Sequence, residues 1–205
     1  MLKRLWADFK NKCYLCEAKA PTSINVEHFR PHEGRDELKY DWNNLYFSCS
    51  HCNNTKTQLE NKKLISEEGL LDCTCEADRV DEVISYRFSP WPTKKVKLKD
   101  EASGDKALSL RIRNTIMLLD GIYNGTDTQL KTIEAENLLQ QLQAEVEAFQ
   151  DLMLKYKWGD EKQRDEALER MREELGNASA FTAFKRWMLR DDPELASLLL
   201  TPSSN

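Results

Sequence analysis

Two Cys-x-x-Cys pairs, Cys13/Cys16 and Cys49/Cys52, are separated by 32 residues and limit what the first quarter of the chain can become. Each pair forms a tight knuckle whose backbone amides face two thiolates, and four thiolates in a tetrahedral array suit Zn²⁺. The gap exceeds the roughly 15–20 residues of a simple ribbon-type site. A strand, a loop and a second strand must fit between the knuckles. The metal then staples the two ends of a module too small to hold itself together by burial. Four reduced, buried cysteines are the alternative. His51 could replace a cysteine as ligand, but it lies inside the second knuckle, a poor place to do so.

Composition narrows the class. Charged residues make up 32% of the 205 and hydrophobic ones 40%, which suits a soluble globular protein of one or two domains. The longest aliphatic run is Leu198-Leu199-Leu200, far short of a membrane span, and the opening MLKRLWADFKNK lacks the apolar core of a signal peptide. The expected setting is the cytoplasm, where six cysteines point to metal or catalysis rather than disulfides. The net charge of −5 is uneven. Residues 1–65 hold 11 Lys and Arg against 8 Asp and Glu, or +3, and the other 140 hold 19 against 27, or −8. A mildly basic working end is joined to an acidic remainder, although acidic helices are also simply soluble ones.

Along the chain, Leu2 to Phe9 has the spacing of a short helix with Leu2, Leu5, Trp6 and Phe9 on one face, placed to cover the metal module. Ser23 to Phe29 alternates as a strand that Pro31 ends, His32 to Asp41 reads as a loop, Leu45 to Phe47 as a second strand, and Asn53 to Glu60 as a helix. Residues 66–104 read as a linker with a short hairpin. From there to residue 205 the chain is helical. Gly121 is the expected cap of the first helix, and Thr126-x-x-Gln129 the capping box of a long one reaching about Lys157. Its apolar stripe runs Leu130, Ile133, Leu138, Leu142, Val146, Phe149, Met153 and Tyr156, a packing surface. Gly159 closes it, Asp160 caps another helix through Leu175, Ala180 to Arg190 forms the next, and Asp192-Pro193 starts a last short one. Cys73-Thr74-Cys75 lacks further ligands nearby and reads as buried or incidental cysteines, with a second metal site as the alternative. The glycine content offers no phosphate-binding loop, so any ATP dependence would come from a partner.

Between the knuckles stand Glu27-His28-Phe29-Arg30-Pro31, Trp42-Asn43-Asn44-Leu45 and Cys49-Ser50-His51-Cys52-Asn53-Asn54-Thr55-Lys56. Neighbouring strand residues point to opposite faces, so Glu27 and His28 reach one site only if the strand end twists. This combination resembles the HNH endonucleases of the cysteine-bearing type. The resemblance implies a ββα-metal fold for the zinc-stapled module of residues 1–65; with the linker of 66–104 and a mainly α-helical domain at 105–205, expected from its acidic charge and long helices to dock a partner, the fold class is α+β. It implies that His28 is the general base, that Asn44 ties down the loop, and that Asn53 ligates a catalytic Mg²⁺ or Mn²⁺. Glu27 matches the acidic ligand usually written as Asp. Hard oxygen donors suit those cations. Cys13, Cys16, Cys49 and Cys52 would hold the structural Zn²⁺.

More narrowly, the EHFRP run followed by helices is similar to the HNH subunit of Septu-type anti-phage systems, including retron-linked ones. That similarity implies DNA as substrate, an ATPase partner and, in the retron-linked case, a reverse transcriptase with its non-coding RNA; no membrane is implied. Arg30, His32 and Lys56 are the expected nucleic-acid contacts, His32 standing where those relatives usually carry Lys. Arg35, Lys39, Lys62 and Lys63 read as solvated. The rival class is a zinc-stapled nucleic-acid-binding or adaptor module without catalysis. It accounts for the cysteines but not for His28, Asn44 and Asn53 together.

Overall fold

The computed structural model describes residues 1–66, 68–102 and 106–200. Positions 67, 103–105 and 201–205, which fall within the expected linker and helical part, lie outside the described residues.

The first quarter is a ββα unit. Strands β1 (Ile24–His28) and β2 (Leu45–Cys49) pair antiparallel, with Ile24 opposite Cys49, Val26 opposite Phe47 and His28 opposite Leu45. β2 is buried along its whole length and runs straight into helix α3 (Ser50–Asn61). Helix α1 (Leu2–Asp8) lies against this hairpin, but only Leu5 is fully enclosed, packing with Leu45 and Phe47. Leu2 and Trp6, expected on the covered face, are 44% and 49% exposed, because a helix this short presents one narrow stripe to a two-stranded sheet. The expected loop between the strands contains a further turn of helix, α2 (Asp36–Lys39), and a 3₁₀ turn at Trp42–Asn44 that Asp41 caps by accepting from the Asn43 amide.

The segment read as a linker is packed. After helix α4 (Val80–Val83), strands β3 (Ile84–Ser89) and β4 (Lys95–Asp100) pair antiparallel and bury Ile84, Tyr86 and Val96. These residues join one core with Cys13, Cys16, Cys49 and Cys52 of the knuckles and with Leu118, Ile122, Leu142 and Phe184 of the helices. The hydrophobic interior is therefore continuous from the knuckles into the helical part.

Five helices follow: α5 (Lys106–Asn124), α6 (Gln129–Trp158), α7 (Glu161–Glu174), α8 (Thr182–Arg190) and α9 (Pro193–Leu199). Asp160 caps α7 in a reciprocal capping box with Gln163, and Asp192 caps α9 ahead of Pro193, as the local chemistry predicts. Two expectations shift. The cap of α6 is Thr128, whose hydroxyl accepts from the Lys131 amide, so the helix starts at Gln129 and not after Thr126. Gly121 lies inside α5; a Cβ there would stand 3.3 Å from the Thr55 methyl of α3, so the glycine serves a close helix crossing and not a cap. The α6 stripe also begins later than its sequence suggests. Leu138, Leu142, Val146 and Phe149 are buried, whereas Leu130 and Ile133 are 63% and 55% exposed, since the start of α6 turns the face of Lys131 and Ala135 inward instead. Among the described residues no helix is long and apolar enough to cross a membrane.

Candidate metal centre and active site

The knuckles converge. The four thiol sulfurs of Cys13, Cys16, Cys49 and Cys52 all lie within 4.8 Å of one another, and Cys16 Sγ is 3.9 Å from Cys49 Sγ. A tetrahedron of sulfurs about 2.3 Å from Zn²⁺ has edges of about 3.8 Å. The donor set fits a structural zinc. It is the only cluster of three or more His, Cys, Asp or Glu ligand atoms among the described residues, and it does not include Cys73 or Cys75, which are exposed, so of the two expected alternatives, buried or incidental, burial does not hold.

His51, though inside the second knuckle, turns the other way. Its Nε2 meets the Ile122 carbonyl at 2.8 Å, where only an N–H can bond, and its Nδ1 lies 3.0 Å from a Glu134 carboxylate oxygen. The Tyr123 hydroxyl donates to the Cys16 carbonyl at 2.8 Å. These three contacts fasten the metal module to α5 and α6.

Asn44 is 4% exposed and spends its amide on the loop. Its Oδ1 accepts from the Arg30 amide at 2.7 Å, and its Nδ2 donates to the carbonyls of Arg30 and Leu38, each at 2.9 Å. Both ends of the 30–44 excursion are thereby pinned beside β1. His28 sits at the end of that strand. Its Nε2 is 3.1 Å from the Lys39 carbonyl, so Nε2 carries a proton, and in the neutral ring Nδ1 is the nitrogen with the lone pair. His32 stacks obliquely on it at 4.7 Å and takes the Gly34 amide on its own Nδ1 at 3.1 Å. That turn needs Gly34 at φ +83°, a backbone region other residues enter only with strain. The Arg30 side chain is exposed and has no ion pair among the described residues.

Glu27 and His28 do part company across the strand. Glu27 is 8% exposed and its Oε1 holds the Lys56 ammonium at 2.6 Å. Burial raises its pKa above the usual carboxylate value, against the pull of Lys56. Its second oxygen has no partner among the described residues. Asn53 lies three residues before Lys56 on α3, hence on the same face one turn earlier. Asn53 Oδ1 is buried without a hydrogen-bond partner, a costly state that a hard cation would relieve.

Lys56 corrects the sequence expectation. It is 1% exposed and its ammonium is shared by Glu27, the His28 carbonyl at 2.7 Å and Glu60 at 3.0 Å, so it faces the interior and no phosphate. The Lys56–Glu60 spacing of four on one helix allows this arrangement but does not choose it, since the deciding partner is Glu27 on β1. Sequence reasoning also missed the Lys39 carbonyl, a backbone group that no motif can reveal. Replacing Lys56 by Met would strand two carboxylates, one of them buried. We expect a loss of about 3–5 kcal/mol in urea unfolding, with nucleic-acid affinity per folded molecule unchanged. A stable variant with weakened binding would instead restore the surface role.

Comparison with known proteins agrees with this geometry. Residues 13–59 match the model of the HNH endonuclease family. No curated protein and no solved structure matches the chain. The architecture is thus a small HNH-type module with a four-cysteine cluster, followed by a mainly helical region.

Proposed function

We propose that the chain is a metal-dependent HNH endonuclease that hydrolyses DNA phosphodiester bonds. The observation that carries this is His28: the Lys39 carbonyl fixes Nε2 as the protonated nitrogen, and Asn44 fixes the loop that supplies that carbonyl. An imidazole so held presents Nδ1 to take a proton from an attacking water. Asn53 Oδ1 and the second oxygen of Glu27 would hold Mg²⁺ or Mn²⁺. When bound, that ion polarises the phosphate and neutralises charge on the leaving 3′-oxygen. Glu27, anchored by Lys56, keeps one oxygen for this role, and exposed Arg30 with His32 would grip the phosphate beside it.

The test is the intact protein with supercoiled plasmid and Mg²⁺ or Mn²⁺, with and without EDTA. Nicked or linear product that EDTA abolishes supports the reading. Binding without cutting under every metal condition would leave the zinc-stapled adaptor instead.

As its biological setting we infer a cytoplasmic anti-phage complex of the Septu or retron-linked kind, with an ATPase partner controlling the nuclease. What supports docking on the helical part is the −8 charge of residues 66–205, −5 of it within residues 105–205, together with Leu154 and Trp158, 55% and 81% exposed one turn apart on α6. Leu154→Glu and Trp158→Glu should each reduce co-purification with the products of neighbouring genes. Equal recovery of a partner by wild type and both variants rules out that face.

A further inference from the structure

Large aromatic rings stand open beside His28. Tyr40 is 70% exposed and Trp42 38%, although both belong to the short excursion whose other residues hold the candidate base. Each carries a cation over its ring: the Lys39 ammonium lies 5.3 Å from the Tyr40 centroid, and the Arg4 guanidinium of α1 lies 5.7 Å from that of Trp42. Lys39 is also the residue whose carbonyl orients His28 at 3.1 Å. Tyr40 and Trp42 thus follow, within three residues, the Lys39 whose carbonyl holds the imidazole, each ring with its own cation. Keeping such rings in water forgoes burial that neighbouring Leu5 and Leu45 obtain, and an exposed patch of this kind marks a binding surface.

The charge around it identifies how a nucleic acid would be held. Segments 1–8 and 30–44 contain five Lys or Arg and five Asp or Glu, so the face has no strong net field. Arg35 is already paired with Glu33 and Arg4 with Asp8, while Lys56 is withdrawn into the interior. Too few free cations remain to hold a duplex by phosphate neutralisation alone. Rings with cations above them suit the flat faces of bases, and those faces are available only where bases are unpaired.

We propose that Tyr40 and Trp42, with Lys39 and Arg4, form a stacking platform for unpaired DNA bases next to His28, so that the preferred substrate is single-stranded or gapped at the cutting point. This deepens the nuclease reading and rests on it for the position of the cut, though not for the binding itself.

The experiment measures binding of a fluorescent 12-nucleotide single strand and of a blunt duplex of the same sequence, without added divalent metal, across a salt series. Wild type should prefer the single strand and show a shallow salt dependence. Tyr40→Ala and Trp42→Ala should each weaken single-strand binding roughly 5- to 150-fold, Tyr40→Phe should retain it, and Trp91→Ala, an exposed ring between β3 and β4, should leave it unchanged. Thermal melting accompanies each variant; were Trp42→Ala to unfold, the more exposed Tyr40 pair decides alone. Equal affinity for strand and blunt duplex, or Ala variants that bind like wild type, would overturn the platform. Cleavage run in parallel separates the two readings. Wild type that cuts nothing while the Ala variants lose single-strand binding removes the nuclease and keeps the platform. Wild type that cuts blunt duplex, with Ala variants binding and cutting equally well, removes the platform and keeps the nuclease.

Discussion

His28→Ala is expected to lower metal-dependent plasmid cleavage by about 10²- to 10⁴-fold, the usual worth of a positioned general base. Zinc content should stay at the wild-type value and the thermal midpoint should fall by only about 2–4 °C. The imidazole is only half-buried, and its side-chain hydrogen bond in the structure is the one to the Lys39 carbonyl at the loop surface. Its removal costs the fold one partly solvated hydrogen bond, worth about 1 kcal/mol. A large catalytic effect beside a small structural one separates a reacting group from a packing group. Equal cleavage by wild type and His28→Ala would end the assignment.

The second large effect concerns the metal cluster. Cys52→Ser should lose zinc and folded structure together, because the binding energy of a structural zinc, about 10–16 kcal/mol, is as large as the whole stability of a domain. Cys52 has no exposed surface and belongs to the same core as Leu118, Ile122 and Phe184, so the damage should extend into α5 and α8. The measurement is zinc content by metal analysis alongside circular-dichroism melting. A zinc-free Cys52→Ser protein with a native, cooperative melt would sink the staple. Acid should loosen the metal in the wild type too. The Cys16 thiol is held well above its ordinary pKa by hydrogen bonds with Cys13 and Cys49, and Cys52 by burial, while hydrogen bonds from the other three thiols pull Cys13 well below despite its burial. Without metal, Cys16 and Cys52 therefore keep their protons at neutral pH. Zinc must displace them, so its affinity falls as pH falls.

What could be read in the chain was local chemistry. The knuckles, the helix caps at Asp160 and Asp192, and the ββα order all follow from neighbours within a few residues, whose constraints survive without tertiary context. What could not be read depended on the third dimension. Nothing in Val83 to Leu98 says that its hairpin joins the core of a module 30 residues earlier in the chain, since period-two alternation gives a face but not its partner. Lys56 has the same local signature whether it reaches for phosphate or turns inward; the choice was made by Glu27, on a strand that approaches only after folding. Gly121 looked like punctuation, and only the nearby Thr55 shows it to be clearance.

The Tyr123 hydroxyl on the Cys16 carbonyl and the Ile122 carbonyl on His51 join segments more than 70 residues apart in the sequence. A module tied in this way is a poor candidate for shuffling between genes as a free cassette. A change at Tyr123 or Glu134 would reach the cutting end through these contacts, although neither residue takes part in its chemistry.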